Sequence, residues 1–174
     1  MKRLARCLIA VSTVLVGLVG ASPALGADPR IPFPPPDQVD LAAGDYCDFP
    51  VRITFQDANQ FIISQTVDPA TGITTLHITG RARATATNQA TGKSVSFNIS
   101  GPGTLVLNPN GSFSADLAGP NLLWTTRQNS FPGVPTISYT TGHLTFAVDA
   151  SGQTTSYSLA GGARQTDVCA LLAS

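Results

Sequence analysis

Glutamate is absent: all ten acidic residues are aspartate. Lysine is nearly absent, occurring only at Lys2 and Lys93 in a chain of 174 residues, and charged residues make up just 11%. Glu and Lys favour helices, whereas the abundant Thr favours strands, so a helical bundle or coiled coil is excluded. The scarcity of basic residues excludes a nucleic-acid footprint. An apolar share of 43% excludes a disordered chain. Nucleophile elbows, phosphate-binding loops, HExxH and DxDxDG loops are all missing, so no catalytic set, metal site or cofactor is assigned.

The N-terminus carries an export signal. Lys2, Arg3 and Arg6 precede an apolar run from Cys7 to Val19, and the small-residue stretch ASPALGA follows. This is the plan of a secretory signal peptide over 1–27, cleaved after Gly26 or Ala27. The run is shorter than the roughly 20 apolar residues of a membrane-spanning helix, so no transmembrane anchor is expected. Cleavage leaves seven basic against ten acidic groups, a net charge of −3. The expected location is extracellular.

Cleavage also leaves two cysteines, Cys47 and Cys169. In an oxidising compartment they are expected to pair; two unpaired thiols are the alternative. Neither cysteine has the CxxC or CxH spacing of a metal ligand. On a chain-entropy basis so long a loop is worth roughly 5 kcal/mol.

Two regions follow the signal peptide. Residues 28–45 form a leader whose segment DPRIPFPPPD holds five prolines. Proline fixes φ and lacks an amide donor, which predicts an extended spacer or strap outside any sheet. Residues 46–174 form one β domain. Apolar residues alternate with polar ones in PVRITFQD, GKSVSFNIS, GSFSADLAG, GHLTFAVD and QTTSYSLAG, the period of half-buried strands. Asp68–Gly72, Asn88–Gly92, Asn108–Gly111 and Asp149–Gly152 share an Asx-to-Gly turn design. Further breakers sit at Gly80, Gly101–Gly103, Gly119, Gly142 and Gly161–Gly162. Turns and breakers together predict an all-β antiparallel meander of about eight to ten short strands, an out-and-back pair in each interval. Closure as an up-and-down barrel hides the sheet edges, and a β-sandwich is the alternative. TDVCALLAS reads as a short C-terminal helix capped by Thr166 or Asp167.

Few side chains could carry chemistry. His77 and His143 are the only histidines and could act as a base; solvent-facing strand histidines are the commoner case. Arg81 and Arg83 share one strand face and could clamp a carboxylate or phosphate, or simply be solvated. Opposite them, Ala82, Ala84 and Ala86 leave room for close packing or for a cavity. Trp124, the single tryptophan, and Tyr139 are the aromatics an apolar ligand pocket would use, or else core residues.

CDFPV (47–51), NQATGKSVSFNISGPG (88–103) and TDVCALLA (166–173) resemble segments of small exported actinobacterial proteins with a Cys-x-Phe-Pro start and an Asp-Val-Cys end. The resemblance implies export and the pairing of Cys47 with Cys169. That group has no assigned activity, so no functional residue follows from it. Three expectations stand: a secreted β-barrel binding an apolar small molecule or envelope lipid; a surface or extracellular interaction protein without a cavity; and a hydrolase or isomerase using a histidine. An apolar cavity with no histidine in its lining would weaken the third, and a filled interior would sink the first.

Overall fold

A computed structural model describes residues 30–174; the signal peptide expected over 1–27, with its cleavage after Gly26 or Ala27, falls outside the described residues. Twelve strands and one helix follow in order: β1 (Ile31–Pro32), β2 (Gln38–Leu41), β3 (Val51–Val67), β4 (Thr74–Asn88), β5 (Ser94–Asn98), β6 (Gly103–Leu107), β7 (Phe113–Ala118), β8 (Asn121–Trp124), β9 (Ile137–Thr141), β10 (His143–Val148), β11 (Thr154–Leu159), β12 (Arg164–Asp167) and α1 (Val168–Ala173). Every pairing is antiparallel.

The glycine intervals hold single long arms, not out-and-back pairs. The Asx–Gly turns join β3 to β4, β4 to β5, β6 to β7 and β10 to β11. Asp68, Asn88 and Asp149 each accept the amide two residues on through their side-chain oxygen, at 2.8, 2.9 and 2.8 Å. In the fourth turn the accepting side chain is Asn110, which takes the Ser112 amide at 3.0 Å. The other breakers fall mid-arm and line up across the meander. The prolines 34–36 separate β1 from β2, both of which pair with β3. A register shift in β3 follows between Gln56 and Asn59. Next comes Gly80, inside β4, where a Cβ would lie 2.2 Å from the Asn59 carbonyl oxygen. The Gly101 amide donates to the Gly80 carbonyl at 3.1 Å, and the Gly119 amide to the Gly142 carbonyl at 2.8 Å. One crease thus crosses the meander, and a Cβ added at Gly80, Gly101, Gly103, Gly119 or Gly142 would meet neighbouring atoms, whereas Gly161 and Gly162 face open space.

Beyond β6 the crease is a corner. His143 faces Ala118 on one side and Thr140 faces Asn121 on the other, so the ladder passes Gly119 and Gly142 without slipping. Gly142 has φ +100, and a Cβ there would meet Ala163 Cα at 2.9 Å. The corner carries β8, β9 and β12 out of the nine-stranded sheet into a three-stranded sheet of order β12–β9–β8.

This corrects the barrel expectation. The main sheet runs β1–β3–β4–β6–β7–β10–β11, and its end strands do not pair with each other. Cys47 and Cys169 are disulfide-bonded with Cα atoms 5.5 Å apart. Cys169 lies on α1, so the bridge ties a helix to the loop before β3 and does not join first strand to last. The leader is corrected too. Its flanks pair with β3 as an edge strap: Ile31, Val39 and Leu41 keep their amides, Pro32 ends β1 opposite Phe61, and the prolines 34–36 stay at the gap.

The three-stranded sheet is covered on both faces. Leu122, Trp124, Ile137 and Tyr139 join Val51, Ile53, Ala84, Ala86, Phe97 and the helix residues Val168 and Leu172 in one core. Leu123, on the other face, packs with Leu105, Ala115, Leu117, Leu144, Phe146, Tyr157 and Leu159. Asp167 caps α1 by accepting from the Ala170 amide at 3.1 Å. Buried Asn88 donates to the Leu172 carbonyl at 3.3 Å while holding its own turn, so one side chain fixes a hairpin and a helix end.

Candidate functional site

The fold encloses one apolar cleft of about 330 Å³, open on one side, between the main sheet and the β8–β9 hairpin. Phe113, Phe146, Val148 and Tyr157 form the wall from β7, β10 and β11. Leu123, Trp124 and Ser138 form the facing wall, and Phe131, Val134 and Pro135 the roof. Strand alternation places this wall: Phe113, Phe146 and Tyr157 fall on the same face because Val148 faces Phe113 and Phe146 faces Tyr157 across neighbouring ladders. The Phe113 and Phe146 rings meet edge to face, with centroids 6.0 Å apart and an interplanar angle of 82°.

The roof is pinned at both ends. The Thr154 amide donates to the Asn129 carbonyl at 2.9 Å, tying the loop to the β10–β11 turn. On the other side the Arg127 amide donates to the Asp45 carbonyl at 2.8 Å, and the Arg127 guanidinium pairs with Asp48 at 2.6 Å. The Thr136 hydroxyl donates to the Tyr46 carbonyl at 2.7 Å. Residues 45–48 surround Cys47, so the disulfide, its loop and the roof are mechanically continuous.

The polar lining consists of hydroxyls: Thr125, Thr136, Ser138, Thr154 and Tyr157. The Gln165 amide donates to the Tyr157 hydroxyl oxygen at 2.8 Å. Burial pushes the Tyr157 phenol above its usual range, against the pull of hydrogen bonds from Ser138 and Gln165, so it stays protonated. No lining residue is ionic.

The sequence-selected residues scatter. Trp124 lines the cleft, with its ring 6.1 Å from that of Phe55. Tyr139 does not; it stacks on Phe97 at 4.7 Å in the first core. His77 is exposed and hydrogen-bonds Thr104 at 3.0 Å. His143 is exposed and meets Asp116 at 2.6 Å. Their strands keep both histidines out of the cleft lining. Arg81 and Arg83 line a separate polar groove with Asp57, Asn98 and Ser100. The alanine row serves close packing: Ala84 and Ala86 are wholly buried in the first core.

Phe113, Phe131, Phe146, Val148 and Tyr157 were not singled out from sequence. Their signal was three aromatics at matching alternation positions on successive strands, where the first core has alanines. Among the described residues, no cluster of three or more His, Cys, Asp or Glu could hold a metal, and no helix is long and apolar enough to cross a membrane. No known protein family, curated protein or solved structure matches the chain.

Proposed function

We propose that the protein is exported and binds a small apolar molecule in the cleft between β7–β10–β11 and β8–β9. The observation that carries this reading is the cleft itself: about 330 Å³, walled by aromatic and aliphatic side chains, with only hydroxyls for polarity. That volume lies at the small end of ligand pockets. It suits a compact molecule better than a diacyl lipid. Export is supported by the basic and apolar N-terminal pattern, by the disulfide, and by the resemblance to exported actinobacterial proteins. The histidine-enzyme reading loses support because neither histidine reaches the cleft.

Trp124 makes the test direct, since it is the only tryptophan in the chain and it lines the cleft. Titration with the neutral probe N-phenyl-1-naphthylamine should quench Trp124 emission saturably, and Phe146→Ala should weaken binding about tenfold. Native mass spectrometry of protein from its own host should show a neutral apolar adduct. Absence of both saturable quenching and any adduct overturns the proposal.

A further inference from the structure

The polar groove at the crease is separate from the cleft and shares no residue with it. Arg81 and Arg83 flank Ala82 on β4. Alternation turns Ala82 inward, where it is buried, and both arginines outward, where they are exposed. Two residues along a strand separate them by about 7 Å. Opposite Ala82 the β3 ladder shifts between Gln56 and Asn59, and Asp57 takes φ +52. Asp57 is the one non-glycine residue at positive φ among those described. A bulge of this kind re-aims a side chain. Here it places Asp57 in the lining of a groove of about 530 Å³, with the two arginines, Asn98 and Ser100.

The donors of this groove are uncommitted. Elsewhere Arg52 and Arg127 pair with Asp40 and Asp48, Lys93 bonds Ser174, and Arg30 lies over the Phe61 ring. The side chains of Arg81, Arg83 and Asp57 make no hydrogen bond, ion pair or ring contact among the described residues. The Asn98 side-chain oxygen accepts the Ser100 hydroxyl, which leaves the Asn98 NH2 group without a protein acceptor among them. Two guanidiniums at that spacing can each donate to one oxygen of the same oxyanion. Asp57 sets its charge: two cations against one carboxylate leave one net positive charge, which a monoanion neutralises. A dianion would meet repulsion from Asp57. The rest of the ligand is polar, because the single apolar residue of the lining, Ala82, is buried. Hydroxyls beside the carboxylate would donate to Asp57 and accept from Asn98.

We infer that the groove binds a hydroxylated monocarboxylate, its carboxylate on Arg81 and Arg83 and its hydroxyls on Asp57 and Asn98. A uronic acid carries that pattern, either free or as a unit of an acidic glycan.

NMR titration of the oxidised protein at constant ionic strength tests this with galacturonate, galactose, acetate and sulfate. Galacturonate should shift the Arg81 and Arg83 Nε–H and the Asn98 side-chain amide signals saturably, and galactose should not. Acetate should bind at least about threefold more weakly, for want of the hydroxyl contacts. Arg81→Gln with Arg83→Gln should weaken galacturonate at least about fivefold while leaving the urea midpoint in place, since both side chains are exposed. Sulfate should bind no more tightly than galacturonate. Asp57→Asn, which keeps a residue that tolerates positive φ, should tighten sulfate by about threefold or more. Trigalacturonate bound more tightly than the monomer at the same signals assigns the glycan as source; equal affinity assigns the free acid. No saturable shift with galacturonate, equal shifts with galactose, acetate bound as tightly as galacturonate, or unchanged affinity in the double variant overturns the inference. So does sulfate bound more tightly than galacturonate by the unaltered protein, or unaffected by Asp57→Asn. The cleft reading stands or falls separately, on the Trp124 titration.

Discussion

The two sides of the β8–β9–β12 sheet are built from similar strands and end differently. On one side Leu122, Ile137 and Tyr139 meet the alanines of β4 and the apolar face of α1, and the interior fills. Ala84 and Ala86 bring the sheets close, and the disulfide locks the helix over them. On the other side the facing positions are Phe113, Phe146 and Tyr157, whose bulk holds the layers apart, and a cleft remains. Period-two alternation sets which face is apolar on both sides. Whether that face becomes a core or a pocket is decided by the size of the opposing residues and by what covers them.

Removing the bridge should have the largest effect. Cys47→Ser with Cys169→Ser should lower stability by about 2–5 kcal/mol in urea titration. It should also weaken probe binding, because residues 45–48 hold the cleft's roof. A stable reduced protein with full binding would break the link between the sealed side and the open one. Next, Ile137→Ala removes a fully buried side chain and should cost about 2–5 kcal/mol. Phe146→Ala, in the half-buried cleft wall, should cost less stability and more binding. If the two rank the other way, the division into core and pocket fails.

Glycine substitutions sharpen the crease. Gly92→Ala lies in a turn with φ +78 and open space, so it should cost only the left-handed penalty of about 1 kcal/mol. Gly142→Ala adds a Cβ 2.9 Å from Ala163 Cα and should cost clearly more in the same titration. The smallest effect is with pH. The Ser151 hydroxyl and the Gln153 amide hold the Asp149 carboxylate below its usual range, and the Ala70 amide does the same for Asp68. A lowered folded pKa contributes stability above the unfolded value and loses it as pH falls through the folded one. Amide exchange in these two turns should therefore rise with acid below the ordinary carboxylate range, while the Asn88 turn should show no such carboxylate titration.

Much of this was legible in the sequence. The alternating segments became strands, the Asx–Gly segments became hairpin turns, Asp167 capped the helix, and Cys47 met Cys169. The role of the remaining glycines was not. A glycine at a turn and a glycine at a crease interrupt alternation in the same way, so Gly80 reads as a strand end although it lies inside β4. No Asp or Asn lies within the four residues before Gly80, Gly142 or Gly162, which separates them from turn glycines. Asp116 before Gly119 and Asn98 before Gly101 blur that signal. The cleft was hidden for a related reason: Trp124 and Tyr139 share the face of β8–β9 that packs in the first core, and only Trp124, at the end of β8, also reaches the cleft lining.

Hydrogen exchange by mass spectrometry on the oxidised protein tests the division most directly. The account predicts slow exchange in 51–56, 83–88 and 137–140, and faster exchange in 113–117, 144–148 and 154–159 that slows when a cleft ligand is added. Uniform protection on both sides of the crease, unchanged by ligand, would contradict it.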